Sequence, residues 1–423
     1  MNFFLVGLLA LAHAARAWIS VSVTDYGAVG DNATDNTAAF RAALAAVAAA
    51  GGGEVVVPAP GLFKTLPVNL TSNTRLTVNG QMWAVETMDK TLWPTVPVVF
   101  TYASEWPAWR YQPFIFVPGP GRSTNISIAG TGEINGAGPF FWCQPGKCPD
   151  MDETRPHLVS FHNVSGVDIS GVTLRNSAFW TLRPVFCEDV WIHDMTITAP
   201  WCGGDVPGGP GGANTDGADV DSCTNVMIER CNISTGDDHV TILAGAGASG
   251  IAAALPSKNV TVRDCVLGTG MGLSVGSSVS GGVSDVLFTR NRMKERAQDW
   301  GYGAHIKTRI NYGGYIHNVA YIDNDFTFVT NMGFVIEAGY QSSGKCNATT
   351  CTEIRDIVWR NNTGSPNCPG DLGCNPARPC VNVTLDNIYL TPRNAGCGWH
   401  CSNVSSGTFI NVFPAGLQEA CGL

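Results

Sequence analysis

Two short segments carry residues that could do chemistry: Asn214-Thr215-Asp216-Gly217 and Gly236-Asp237-Asp238-His239-Val240. Asp216 and Asp237 are 21 residues apart (237 − 216). Asp237 and Asp238 are neighbours, and repulsion between adjacent carboxylates raises the pKa of at least one. One protonated and one ionised carboxyl is the pair that hydrolysis of a glycosidic bond requires. The plainer reading is an Asp-rich turn or a calcium site, and for an isolated Asp pair it would prevail.

Carboxylates so far apart in sequence meet only if the chain returns to the same place after about one coil. From residue 120 onward it is built to do so. Short β-rich triplets recur, nearly all after a polar turn residue: Ile126-Ser-Ile128, Val167-Asp-Ile169, Val190-Trp-Ile192, Val226-Met-Ile228, Val260-Thr-Val262, Val286-Leu-Phe288, Val319-Ala-Tyr321, Ile357-Val-Trp359 and Val383-Thr-Leu385. Strand-only repeats of this spacing predict an all-β solenoid of parallel strands, in which stacked coils share one core. A sandwich or propeller would not explain repeats that vary in length around a constant triplet. Equivalent positions on successive coils lie ~4.8 Å apart, which would bring the three aspartates onto one face. One helix is expected early. Asn or Asp before Thr37, an Ala/Leu-rich body striped by Phe40, Leu44 and Val47, and the Gly51-Gly52-Gly53 stop predict a cap over one open end.

Residues 1–17 have a short apolar run and end in Ala15-Arg16-Ala17, the pattern of a secretory signal peptide. Residues 18–423 read as one domain, since no Pro/Ser-rich or charged linker divides them. Gly203 to Gly212 is expected to be a surface loop. Fifteen cysteines suit an oxidising compartment. The close pairs Cys143/Cys148, Cys346/Cys351, Cys368/Cys374 and Cys397/Cys401 resemble loop staples, although connectivity does not follow from sequence. The odd number leaves at least one thiol. Sequons such as Asn32, Asn69, Asn347 and Asn403 agree with an extracellular destination. Charged residues make up 14% of the chain, with net charge −9 and no basic run, so nucleic acid is not an expected partner. No later segment is apolar for long enough to span a bilayer. Cysteine and histidine spacing does not suggest a structural metal.

The two aspartate segments are followed by Gly270-Met271-Gly272-Leu273-Ser274-Val275-Gly276-Ser277 and by His305-Ile306-Lys307-Thr308. In this order and at these gaps the blocks resemble the polygalacturonase family of glycoside hydrolases, family 28. The Asp25 to Asp31 segment with Thr34 to Thr37, Gly51 to Pro58, Gly130 to Gly136, Arg155-Pro156 and Asn176 to Pro184 extend the resemblance over most of the chain. Ser280 to Val283 and Gly313 to Tyr315 resemble a subgroup many of whose members act on chain ends. The resemblance implies a right-handed parallel β-helix that hydrolyses pectic polysaccharide with inversion, as a monomer, without metal or organic cofactor. It assigns Asp237 as general acid and Asp216 and Asp238 as the pair that activates water. Asn214, Lys307 and Tyr340 would contact substrate, with Lys307 on a galacturonate carboxylate, and His239, Met271 and His305 are expected among the substrate contacts as well.

The family's usual histidine between two glycines is Met271 here, and its usual arginine before Ile-Lys is His305. Methionine neither donates a hydrogen bond nor carries a proton. Histidine lacks the bidentate fork that grips a carboxylate. A cysteine pair that the family often joins is replaced by His239 and Leu267. Three readings follow. His239 or His305 supplies the missing imidazole; the substrate has changed towards rhamnogalacturonan or a chain with fewer free carboxylates; or activity is weak or absent. His239 also fits a satisfied buried histidine. A polysaccharide lyase or a non-catalytic glycan-binding solenoid remain the competing functions.

Overall fold

The computed structural model describes residues 18–142, 154–199, 212–294 and 301–423. The predicted signal peptide, the Cys143/Cys148 pair, most of the Gly203 to Gly212 loop, and Trp201 and Trp300, aromatic side chains of the kind that stack on sugars, lie outside the described residues.

The triplets read from the sequence form one continuous column. Ile126, Val167, Val190, Val226, Val260, Val286, Val319, Ile357 and Val383 pair in parallel register, each on the next coil. Two residues further on, Phe288, Tyr321 and Trp359 stack inside the core, with ring centroids 4.6 Å and 6.1 Å apart. The residue before most of these hydrophobic positions has a positive φ: Asn125, Asp189, Asn225, Asn259, Asp285, Asn318, Asp356 and Asn382. Asn and Asp tolerate this left-handed backbone better than other side chains do. This accounts for the polar residue at the head of each triplet. Their side chains also link coils, as in Asn259 Nδ2 to Asn225 Oδ1 at 2.9 Å and Asn382 Nδ2 to Asp356 Oδ1 at 2.7 Å.

The result is a right-handed parallel β-helix. Two of its faces merge into a 24-stranded sheet. The third face is an 11-stranded parallel sheet that follows chain order. Its strands are β1 (Val68–Asn69), β2 (Ile115–Val117), β3 (Val159–His162), β4 (Leu182–Val185), β5 (Ala218–Asp221), β6 (Val240–Leu243), β7 (Leu273–Val275), β8 (Ala304–Thr308), β9 (Met332–Ala338), β10 (Cys368–Gly373) and β11 (His400–Ser402). Side chains alternate across it. Val220, Ile242, Val275, Ile306, Ile336 and Leu372 form an inward column. The outward columns reach the functional face.

At the N-terminal end, α1 (Thr37–Ala50) buries Phe40, Ala43, Leu44 and Val47 against the first coil. Its start differs from expectation in one detail. The Asn36 side chain bonds Val29 instead of capping, and Asp35 Oδ1 accepts the Thr37 N–H at 2.9 Å. Gly51, at φ 84, ends the helix in the left-handed region. No helix among the described residues is long and apolar enough to cross a membrane.

Cys346–Cys351 closes the loop expected of it. The pairs Cys368/Cys374 and Cys397/Cys401 do not form. Cys368 bonds Cys397, Cys374 bonds Cys380, and Cys401 bonds Cys421. Folding into coils brings Cys397 beside Cys368 and the C-terminal helix beside β11, so nearness in sequence is a poor guide. Among the described residues Cys187, Cys223, Cys231 and Cys265 are buried free thiols.

A short ladder of buried asparagines ties the C-terminal coils together. Asn291 Nδ2 donates to Asn324 Oδ1 at 3.1 Å, and Asn324 Nδ2 donates to Asn362 Oδ1 at 3.1 Å. Each also satisfies backbone groups of neighbouring coils. Asn324→Leu would leave partners on both sides unpaired and should cost about 3 kcal/mol, at ~1–3 kcal/mol per orphaned group. Denaturant unfolding measures this, and a loss below about 1 kcal/mol would show that the ladder is not cooperative.

Candidate active site

Asp216 precedes β5, and Asp237 and Asp238 precede β6. Ala218 pairs with Val240, and Gly217 N–H donates to Asp238 O at 2.9 Å. The coil equivalent of Asp216 is therefore Asp238, with Asp237 in the turn just before it. This is one residue away from the expected Asp216/Asp237 equivalence. All three side chains still converge, each offering an oxygen within 4.8 Å of the others. They open into a cleft of about 430 Å³, a size suited to a few sugar rings.

Each carboxyl has a different environment. Asp238 is buried, accepts Ser274 Oγ–H at 2.7 Å on one oxygen and receives the Lys307 ammonium at 2.7 Å on the other. Asp237 is half-buried; burial and the neighbouring Asp238 push its pKa up to about 6. Asn214 Nδ2 donates to its carboxylate at 3.3 Å. Asp216 is also shifted upward, by burial first and then by Asp237. Burial alone would lower the Lys307 pKa, but Asp238, Tyr340 and Asp237 reverse this and raise it. Three clustered carboxylates would ordinarily attract a cation. Here the Lys307 ammonium already lies against one of them.

Asn214, Met271, Lys307 and Tyr340 line the cleft with the aspartates. Tyr340 places its ring 4.9 Å from the Lys307 ammonium. Met271 is anchored by its own N–H, which donates to Asp237 O at 2.8 Å.

The two histidines lie below the floor. His239 is fully buried, with Nε2 3.0 Å from Gly268 O and Nδ1 accepting from Gly272 N–H at 3.1 Å. These bonds fix the Nε2-protonated tautomer, and burial lowers its pKa. The imidazole bridges the turn before β6 to the Gly268 to Gly272 segment of the following coil. Gly270 adopts φ 155 here, and a Cβ on it would fall 2.5 Å from the imidazole. His305 is 2% exposed, packed under Tyr302 with ring centroids 4.2 Å apart. Burial lowers its pKa, and its Nε2 is 3.4 Å from a Glu337 carboxylate oxygen without a formed hydrogen bond. Neither imidazole lines the cleft, so the expected substrate contacts at His239 and His305 give way to buried, packed rings, and neither replaces the imidazole lost at Met271.

The structure adds residues that the motif blocks did not nominate. Asp219 is fully buried on the cleft wall, and among the described residues neither carboxyl oxygen has a hydrogen-bond partner. Burial raises its pKa. Its spacing, three residues after Asp216 and outward on β5, was a usable signal. Arg183 on β4, the nearby cation, bonds Asp221 at 2.8 Å and packs against Tyr102, Trp106 and Trp180. Trp106, Glu105 and Tyr312 also line the cleft. They come from loops whose sequences carry no periodic signal.

A parallel β-helix with a cleft floored by converging carboxylates and a lysine is the architecture of a polysaccharide-cleaving enzyme. A sequence profile described as glycosyl hydrolases family 28 matches residues 53–410. A probable polygalacturonase from Vitis vinifera is 30% identical, covering 91% of this chain and 77% of that protein. An exopolygalacturonase from Zea mays is 25% identical over 88% of this chain and 83% of its own length. The structure of a hyperthermoactive exopolygalacturonase from Thermotoga maritima superposes with a TM-score of 0.73 at 25% identity, covering 93% of this chain and 92% of that one. The chain belongs to glycosyl hydrolase family 28 and is a polygalacturonase-like glycoside hydrolase.

The position of His239 yields a test. His239→Ala should lower stability by about 2 kcal/mol, because a buried carbonyl and a buried N–H each lose a partner. The pH profile of hydrolysis should keep its shape in the variant. A displaced limb in that profile would place the imidazole in the chemistry.

Proposed function

We propose that this chain is a secreted, single-domain pectin hydrolase in which Asp237 protonates the leaving glycosidic oxygen while Asp216 and Asp238 activate the attacking water. The observation that carries this reading is the convergence of three carboxyls in different environments. Oxygens up to 4.8 Å apart can be bridged by one water making two hydrogen bonds of ~2.8 Å. Asp237, held near 6, can keep a proton under mildly acidic conditions and release it in the transition state. Asp238 accepts from both Lys307 and Ser274. While Asp237 holds its proton, its repulsion of Asp216 disappears and Asp216 ionises more readily. The proton leaving the water passes to this pair as the new C–O bond forms, and the Asp237 proton goes to the departing sugar. Lys307 and Tyr340 would hold the substrate against the acids.

Action from a chain end is supported by the segment around residues 98–108, which walls one side of the cleft. Ala246 N–H donates to Thr101 O at 3.0 Å, Ser104 Oγ is 2.9 Å from Ser249 Oγ, and Tyr312 Oη donates to Glu105 at 3.2 Å. These bonds pin Trp106 beside the acids. A lyase mechanism is disfavoured because it needs a base free to take a proton. Lys307 holds its proton more tightly than usual.

Asp237→Asn should reduce kcat by at least ~10² with the fold intact. Wild-type kcat/KM should fall as pH rises through about 6, because the acid is then deprotonated, and this limb should vanish in the variant. Near-normal turnover would remove Asp237 from the role. Stereochemistry gives an independent check. The 4.8 Å spacing is tighter than the ~6.5–9.5 Å usual between carboxyls of inverting glycosidases. If water is nevertheless the nucleophile, proton NMR of an α-linked substrate will show the β-anomer first. An initial α-anomer would mean a covalent intermediate.

A further inference from the structure

Sheet register shows what a polysaccharide meets as it runs along the solenoid past the acids. On β8, Lys307 faces the cleft, and Arg309 follows on the same side just beyond the strand, donating to Gln341 Oε1 at 3.2 Å. One coil further on, the residue paired with Lys307 is Glu337. The neighbouring outward column runs Ser274, His305, Val335, Asp371. Strands alternate their side chains, so Glu337 and Asp371 share the outward face with Lys307. Among the described residues of β9, β10 and β11 there is no lysine or arginine; the charged side chains are Glu337 and Asp371, with His400 in register beside Asp371. Nearby arginines in adjacent loops are committed elsewhere. Arg378 bonds Glu353 and Cys351 O, and Arg393 bonds Ser365 O and Val329 O. His305, where the family places an arginine, sits sealed under Tyr302 and beside Glu337.

One coil therefore offers cations to a uronate, and the next offers carboxylates. A pyranose unit advances along its chain by about one coil. A continuous polyuronide would place a negative charge against Glu337 and Asp371, and burying like charges together is costly. Carboxylates are good acceptors for sugar hydroxyls, and the flanking rings of Tyr302 and Tyr340 suit an apolar or methylated edge.

We propose that the sugar bound one coil beyond Lys307, against Glu337 and Asp371, carries no free carboxylate. The substrate would be a pectic chain in which a uronate at the Lys307 coil is followed by a methyl-esterified uronate or by a neutral sugar. This deepens the hydrolase reading and rests on it for turnover, but binding tests it separately.

The full-length Asp237→Asn variant would be titrated calorimetrically with three probes of equal length. These are a de-esterified oligogalacturonate, its methyl-esterified form and an alternating rhamnose–galacturonate oligomer. At least one of the last two should bind tenfold or more tightly than the first, and which one does so distinguishes ester from neutral sugar. Adding Glu337→Gln and Asp371→Asn should tighten the de-esterified probe and narrow the gap to below threefold. Equal or tighter binding of the de-esterified probe before those changes would overturn the proposal. Wild-type turnover with these probes separates the two readings. The expected binding order without hydrolysis of any probe would sink the hydrolase reading alone. Hydrolysis accompanied by preference for the de-esterified probe would sink this proposal alone.

Discussion

Parallel hydrogen-bond register between successive coils determines which residues meet. Each coil must stack so that a hydrophobic residue falls on the hydrophobic residue below it. A left-handed Asn or Asp ahead of most of these positions resets the backbone, so coils of different length re-enter the column in phase. Once that column is fixed, every outward position on the opposite sheet is fixed as well. A slip of one residue would turn Lys307 and Asp219 inward and Ile306 and Val220 outward. The geometry of the acids is thus a consequence of core packing on another face of the solenoid.

The electrostatics follow from the same stacking. Three carboxyls from two successive coils are crowded together, and burial raises the pKa of Asp216 and Asp237. Lys307, reaching up from two coils beyond Asp238, sets its ammonium against that carboxyl alone at 2.7 Å. Asp237 is left raised and able to give up a proton, and Asp216 responds to whether it has done so. A single ammonium therefore gives chemically identical side chains different environments. The fully buried pair Arg183–Asp221 does the opposite on the wall: it commits a nearby cation elsewhere, and Asp219 has no hydrogen-bond partner among the described residues.

Much of this was legible in the sequence, for physical reasons. Triplets of alternating residues behind a polar turn residue encode a solenoid, and each predicted column member lies in register. The three aspartates, Asn214, Met271, Lys307 and Tyr340 were readable because their blocks sit at strand starts or on the cleft sheet. What escaped reading depends on depth or on non-periodic chain. A histidine reads the same in sequence whether it lines a cleft or, like His239, spans two buried backbone groups. The wall carrying Glu105 and Trp106 comes from a segment without repeat spacing. The partners of Cys368 and Cys401 come from chain brought near by coiling. The equivalence of Asp216 with Asp238 instead of Asp237 turns on one residue of register, finer than a motif can resolve.

The replaced family residues gain a common physical explanation. Losing a disulfide between neighbouring coils would loosen the floor beneath the acids. His239 restores the link through two hydrogen bonds, one to a carbonyl and one from an N–H. A positively charged imidazole could not accept the second bond, so this link works only while the ring is neutral, the state that burial favours. At residue 305 an arginine would have to extend its charge into the cleft or be buried at high cost. Histidine can be buried without charge under Tyr302. The change at residue 305 withdraws a charge from the floor, and Lys307 and Arg309 are the cations lining the described cleft. The site thus keeps an ammonium against Asp238 and buries a neutral ring where the resemblance to the family would place a guanidinium.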